Sequence, residues 1–101
     1  MTEITKQYVK MMQDASGIKA ERIVSRSRQR PLPAIRWMIG RELIRHGYSS
    51  NVAARELNID HATLLHGCKM LGVMRNSRRN WTLEIEIEER FLTLLDKPIK
   101  Q

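Results

Sequence analysis

The sequence predicts an all-α fold, a helical bundle of about five or six helices containing a helix-turn-helix. Three observations predict it. Apolar residues recur at helical spacing along most of the chain. Two short helical segments meet at Asn58-Ile59-Asp60, where a residue tolerant of the left-handed conformation is followed by an apolar plug and a capping residue. The single stretch that alternates like a strand, Leu83-Glu84-Ile85-Glu86-Ile87-Glu88, has no second strand to pair with. At 101 residues the chain is expected to be one domain over 1–101, with a core about 17–71 on which the terminal helices pack.

The first helix is expected over Thr2–Ala15, with Thr2 as its cap and Ile4, Tyr8, Met11 and Ala15 as its apolar stripe. Gly17 supplies the left-handed residue that ends it. Ile18–Val24 makes a short helix with Ile23 and Val24 inward. Ser25–Pro33 is a loop in which arginines alternate with small polar residues and prolines push Leu32 toward an extended conformation. The next helix starts at Pro33 or Ala34. Its Ile35, Met38, Ile39 and Leu43 face the core, and Arg36, Arg41 and Arg45 face outward. His46-Gly47 closes it.

Ser49 or Ser50 caps a short helix whose buried side holds Val52, Ala53, Ala54 and Leu57. Asn58 turns the chain, Ile59 enters the core, and Asp60 caps a second helix with Leu64, Cys68 and Leu71 as its inner face. Its outward positions are His61, Ala62, Thr63, His66 and Lys69. The last helix covers Thr82–Leu95, with a stripe of Leu83, Ile87, Phe91 and Leu94, and stops before Pro98. Trp37, Trp81 and the methionines are read as core or edge packing; the tryptophans are also weighed as stacking platforms for single strands.

The net charge is +7 and the pI near 10.2, an excess that attracts polyanions. It is unevenly spread. Arg22, Arg26, Arg28, Arg30, Arg36, Arg41, Arg45 and Arg55 crowd the middle, while Glu84, Glu86, Glu88 and Glu89 gather near the C-terminus. Arg75, Arg78 and Arg79 read equally well as a second phosphate clamp or as a solvated linker. No apolar run approaches the ~18–20 residues that cross a bilayer. The N-terminal residues lack the pattern of a signal peptide. Cys68 stands alone, excluding an internal disulfide and fitting a reducing cytoplasm.

A metal site is not expected: Cys68 belongs to the buried stripe, and His61 and His66 diverge around their helix. Without a Gly-rich oxyanion loop, a Cys–His nucleophile is not expected either. The expectation is a protein without cofactor, metal, small-molecule substrate or enzymatic activity.

Asp60-His61-Ala62-Thr63-Leu64-Leu65-His66 resembles the Asp-His-Thr-Thr-Val-Leu-His signature of the DNA-binding domain of the bacterial replication initiator DnaA, within the Trp-repressor-like helix-turn-helix group. Ile18–Arg26 is similar to that family's first short helix and the start of its basic loop, and Arg41-Glu42-Leu43 to a Lys/Arg-Glu-Leu of its next helix. The resemblance covers roughly Gly17–Leu71. The sequence departs from the pattern at Ala62, in place of a threonine, and at Ile59, in place of an arginine; the turn and the basic loop are shorter. No Gly-x-x-x-x-Gly-Lys-Ser/Thr occurs, so the likeness is to the DNA-reading domain without the ATP-driven one.

In that family the signature helix reads the major groove and the basic loop places arginine in the minor groove. The resemblance therefore implies double-stranded DNA as partner, cytoplasmic and nucleoid-associated. Asp60, His61, Ala62, Thr63 and His66 are the expected base-reading positions. Arg26, Arg28, Arg30, Arg36, Ser50 and Lys69 are the expected phosphate or minor-groove contacts. RNA binding, or a protein-interaction adaptor in replication or transcription control, is the alternative.

Overall fold

A computed structural model describes residues 1–96 of the chain. The order is α1 (Glu3–Ser16), α2 (Ala20–Ile23), α3 (Leu32–Arg45), α4 (Ser50–Glu56), α5 (His61–Val73), a 3-10 turn over Met74–Asn76, and α6 (Thr82–Leu95). No strand occurs among the described residues, so Leu83–Glu88 is helical as its longer period predicts. Pro98, expected to stop the last helix, lies outside the described residues. No described helix is long and apolar enough to cross a membrane.

Thr2 caps α1 by accepting the Thr5 N–H at 3.3 Å, and Gly17 ends it at φ 74°, donating to the Gln13 carbonyl. The inward face is Thr5, Val9, Met12 and Ala15, with Ile4, Tyr8 and Met11 half-buried beside it. The face is turned from the expected stripe because α1 packs on both α3 and α6 and so needs a wide contact surface. Thr5 can sit fully buried there because its hydroxyl donates to Glu56 Oε1 at 2.6 Å.

α3 is the central helix, touching α1, α2, α4, α5 and α6. Ile35, Met38, Ile39 and Leu43 are fully buried on it. It begins at Leu32, earlier than Pro33 or Ala34. Leu32 is fully buried, and that burial outweighs the extended preference of a residue before proline. Pro33 then falls in the first turn, where no N–H is needed.

α3 and α5 cross at a pair of reciprocal glycines. A Cβ at Gly40 of α3 would strike Leu64 of α5, and a Cβ at Gly67 of α5 would strike the Trp37 indole of α3. The inner face of α5 is accordingly Leu64, Gly67 and Leu71; Cys68, expected there, is half-buried at its side. Val52 is likewise not a core residue. Ala53 and Ala54 fill the inward side of the seven-residue α4, with Leu57 buried just past its end, which leaves Val52 exposed.

α6 packs against α1 and α3. Ile87 and Phe91 are buried as expected, but Leu83 is exposed and its place on the inner face goes to Glu84 and Glu88. Those two carboxylates are buried because arginines reach them: Arg30 meets Glu84 at 2.8 Å and Arg41 meets Glu88 at 3.0 Å. Arg41 is therefore a link between α3 and α6 rather than an outward side chain.

Candidate nucleic-acid interface

Ser49 rather than Ser50 caps α4, accepting the Val52 N–H at 3.2 Å. Asn58 takes the left-handed conformation at φ 62°, and the Ile59 N–H returns to the Ala54 carbonyl at 3.0 Å, closing the turn. Ile59 packs half-buried against the core. Asp60 caps α5 by accepting the Ala62 N–H at 3.1 Å. Asp60, Ala62, Thr63, His66 and Lys69 are all exposed, as is Leu65. One outer side of α5, starting at its cap, is thus open and carries short polar side chains at its beginning.

Two expected contact residues are instead partners of each other. Ser50 Oγ lies 2.7 Å from His61 Nε2, and both residues are half-buried. The bond ties the start of α5 to the start of α4. Ser50 is the first residue inside α4, which aims its side chain at the facing helix rather than at solvent. Both therefore hold the two helices in register. His66 stays exposed, its ring edge-on to Trp37 with centroids 6.4 Å apart.

The basic loop is folded by its own serines: Ser25 Oγ accepts the Ser27 N–H and Ser27 Oγ accepts the Gln29 N–H. Arg36, expected on phosphates, is 4% exposed and spans this loop from below. It donates to the carbonyls of Ile23 at 2.7 Å, Ser27 at 2.6 Å and Arg22 at 3.3 Å, and to Ser25 Oγ at 3.3 Å. Part of the reason lies in α2, which ends after four residues at Ile23 and so leaves the Ile23 carbonyl open to a side-chain donor. Burial pushes the Arg36 pKa down from its ordinary value.

Arg30 is also committed. Its Nε and Nη2 grip Glu84 at 2.8 Å each, Nη2 also donates to the Asn80 carbonyl, and its guanidinium lies 5.2 Å from the Trp81 ring centre. Hydrogen bonding to Glu84 is the main cause that raises its pKa. Arg26 and Arg28 differ from these two: both are exposed, and neither makes an ion pair among the described residues.

A groove of about 440 Å³ brings these features together, lined by Arg26, Arg28, Trp37, Ile59, Asp60 and Thr63 among others. One wall is the basic loop and the other is the turn and first turn of α5. Of the expected site, Asp60, Thr63, Arg26, Arg28 and Arg36 line this groove, Arg36 as the nearly buried support of its loop; Ala62, His66 and Lys69 continue outward along α5; Arg30, Ser50 and His61 are held by partners elsewhere in the fold.

Sequence reasoning missed the acidic counterpart of the arginines. Arg75 reaches Glu88 at 3.4 Å and Glu89 at 4.0 Å, completing a layer with Arg41. The signal was the Glu84/Glu88 spacing, which sets two carboxylates on one side of a helix. Cys68 has its thiol pKa raised by burial, against the lowering influence of Arg41 and Arg45. Among the described residues no three His, Cys, Asp or Glu side chains converge as metal ligands do. Compared with protein-family models, curated proteins and solved structures, the chain matches none.

Proposed function

We propose that the chain binds double-stranded DNA, with the N-terminal part of α5 directed at base edges in the major groove and Arg26 and Arg28 on the flanking backbone or minor groove. The observation that carries this reading is the shared groove: two arginines without an ion pair among the described residues face an exposed helix start across an open cleft. Small side chains at Ala62 and Thr63 let the helix approach bases closely. The threonine offers a donor, an acceptor and a methyl group, and the Asp60 carboxylate an acceptor for an exocyclic amine. Lys69 lies further along the same helix, suited to a phosphate. The likeness of Asp60–His66 to the initiator's DNA-reading signature supports the same docking.

The test begins with selection of bound duplexes from a random library. Thr63→Ala should then cost about 1–3 kcal/mol on the selected duplex and little on a scrambled one, with an unchanged melting temperature. An unaltered selected-to-scrambled ratio would remove α5 as the reading element. Tighter binding to RNA than to duplex DNA at equal salt would replace this reading with the RNA one.

A further inference from the structure

Arg78 and Arg79 lie in the connector that joins α5 to α6, a segment with three arginines and no acidic residue over Arg75–Asn80. Arg75 is engaged by Glu88 and Glu89. Arg78 and Arg79 are exposed and make no ion pair among the described residues. The segment around them is fixed. Ser77 N–H donates to the Met74 carbonyl, Ser77 Oγ accepts the Arg79 N–H at 3.1 Å, and Asn80 Oδ1 accepts the Thr82 N–H at 3.0 Å. The Arg79 guanidinium rests 4.8 Å from the centre of the Trp81 ring, a ring that is 5% exposed.

The connector is also fastened to the basic loop and to the α5 face. Arg30 donates to the Asn80 carbonyl and sits over the same Trp81. Trp81 lies 6.4 Å from Trp37, and Trp37 lies 6.4 Å from the exposed His66 ring. Two cationic segments distant in sequence therefore border one pair of tryptophans, on the flank of α5 that carries His66. Between them, Glu84 and Glu88 neutralise Arg30, Arg41 and Arg75. Arg26 and Arg28 on the loop and Arg78 and Arg79 on the connector make no ion pair among the described residues, although Arg79, seated on Trp81, also favours the ionised form of Glu84.

We infer that the connector is a second backbone-contacting arm, in which Arg78 and Arg79 hold duplex phosphates beyond those reached by Arg26 and Arg28, with Trp81 as the support that positions Arg79. The inference rests on the duplex-binding reading and extends its footprint. Phosphates are the fitting ligand because the arm presents guanidinium groups on an ordered backbone, and Glu84, whose ionised form Arg79 favours, is already gripped by Arg30.

Binding of the full chain to one selected duplex across a salt series tests it. Arg78→Gln with Arg79→Gln should lower the slope of log K against log salt by about 0.9 for each phosphate set free, about 1.8 in all. The ratio between selected and scrambled duplexes should stay the same, because phosphates carry no sequence. Arg78→Gln alone, at an exposed residue that is not stacked on Trp81, should lower the slope by about 0.9, which a merely structural role of Arg79 on Trp81 would not explain. Trimming the duplex on one side should weaken the wild type more than the double variant. An unchanged slope in the double variant, beside a lowered slope for Arg26→Ala with Arg28→Ala, overturns the arm and leaves the duplex reading intact. A wild type without salt-dependent duplex binding overturns both.

Discussion

Arg36 donates to the carbonyls of Ile23 and Ser27 from a nearly buried position, while Arg26 and Arg28, on the loop it supports, face solvent. Composition counts these arginines alike; what separates them is which carbonyls and carboxylates the fold leaves in need of a donor. The difference has a measurable consequence. Arg36→Ala strands the Ile23 and Ser27 carbonyls and should cost about 2–4 kcal/mol of stability, lowering the melting temperature and, on the proposed duplex reading, weakening binding only through loss of the loop's shape. Arg26→Ala should leave the melting temperature unchanged and reduce the salt slope. Thermal melts beside binding isotherms check both; equal melting temperatures for the two variants would show that Arg36 is not the post on which the loop stands. The exposed positions of Asp60, Thr63, Arg26 and Arg28 were legible in the sequence because cap, turn and charge are local signals. His61, Ser50, Arg30 and Arg36 were not, since their partners lie on other elements: His61 and Ser50 bond each other, Arg30 meets Glu84, and Arg36 meets α2.

At the level of the helices, period was legible and facing only in part: Ile35, Met38, Ile39 and Leu43 of α3 are buried as expected, whereas the inner faces of α5 and α6 differ from expectation. The spacing of Leu83, Ile87 and Phe91 marks α6 as a helix, yet its inner face includes Glu84 and Glu88 because Arg30 and Arg41 arrive from elsewhere in the chain. On α5 the expected seam of Leu64, Cys68 and Leu71 shifts to include Gly67, since the Trp37 indole takes the space that a side chain there would fill. Gly67→Ala pushes a methyl into a rigid ring rather than a flexible chain end. The overpacking cost of about 1–3 kcal/mol should exceed the ~1 kcal/mol that alanine gains over glycine in a helix. Gly72 lies on the same helix with nothing near its missing Cβ, so Gly72→Ala should stabilise by about 0.5–1 kcal/mol. Melting temperatures moving in opposite directions are the expected result. Two stabilising changes would mean that α3 and α5 do not cross on these glycines.

For the molecule as a whole, two carboxylates join parts of the chain that are far apart in sequence. Glu56, on α4, accepts the Thr2 N–H and the Thr5 hydroxyl, each at 2.6 Å, and so pins the start of α1. The Thr2 backbone bond is the leading cause that holds its pKa below the ordinary carboxylate value, with Thr5 next. Glu84 pins the basic loop to α6. Burial, the strongest influence on it, opposes ionisation, but the Arg30 hydrogen bonds together with the remaining favourable contacts bring its pKa below the ordinary value as well. A carboxylate whose pKa is lower folded than unfolded adds stability in full above the unfolded value, about 4.3, and loses it as pH falls through the folded value. The melting temperature should therefore be level in neutral solution and drop as the medium is acidified below about pH 4.3. Glu56→Gln and Glu84→Gln should each melt below the wild type at neutral pH, and the gap should close in acid, where the wild-type carboxyls are protonated too. Gaps that stay equally wide well below the folded values would assign the lost stability to packing rather than to these ionised links.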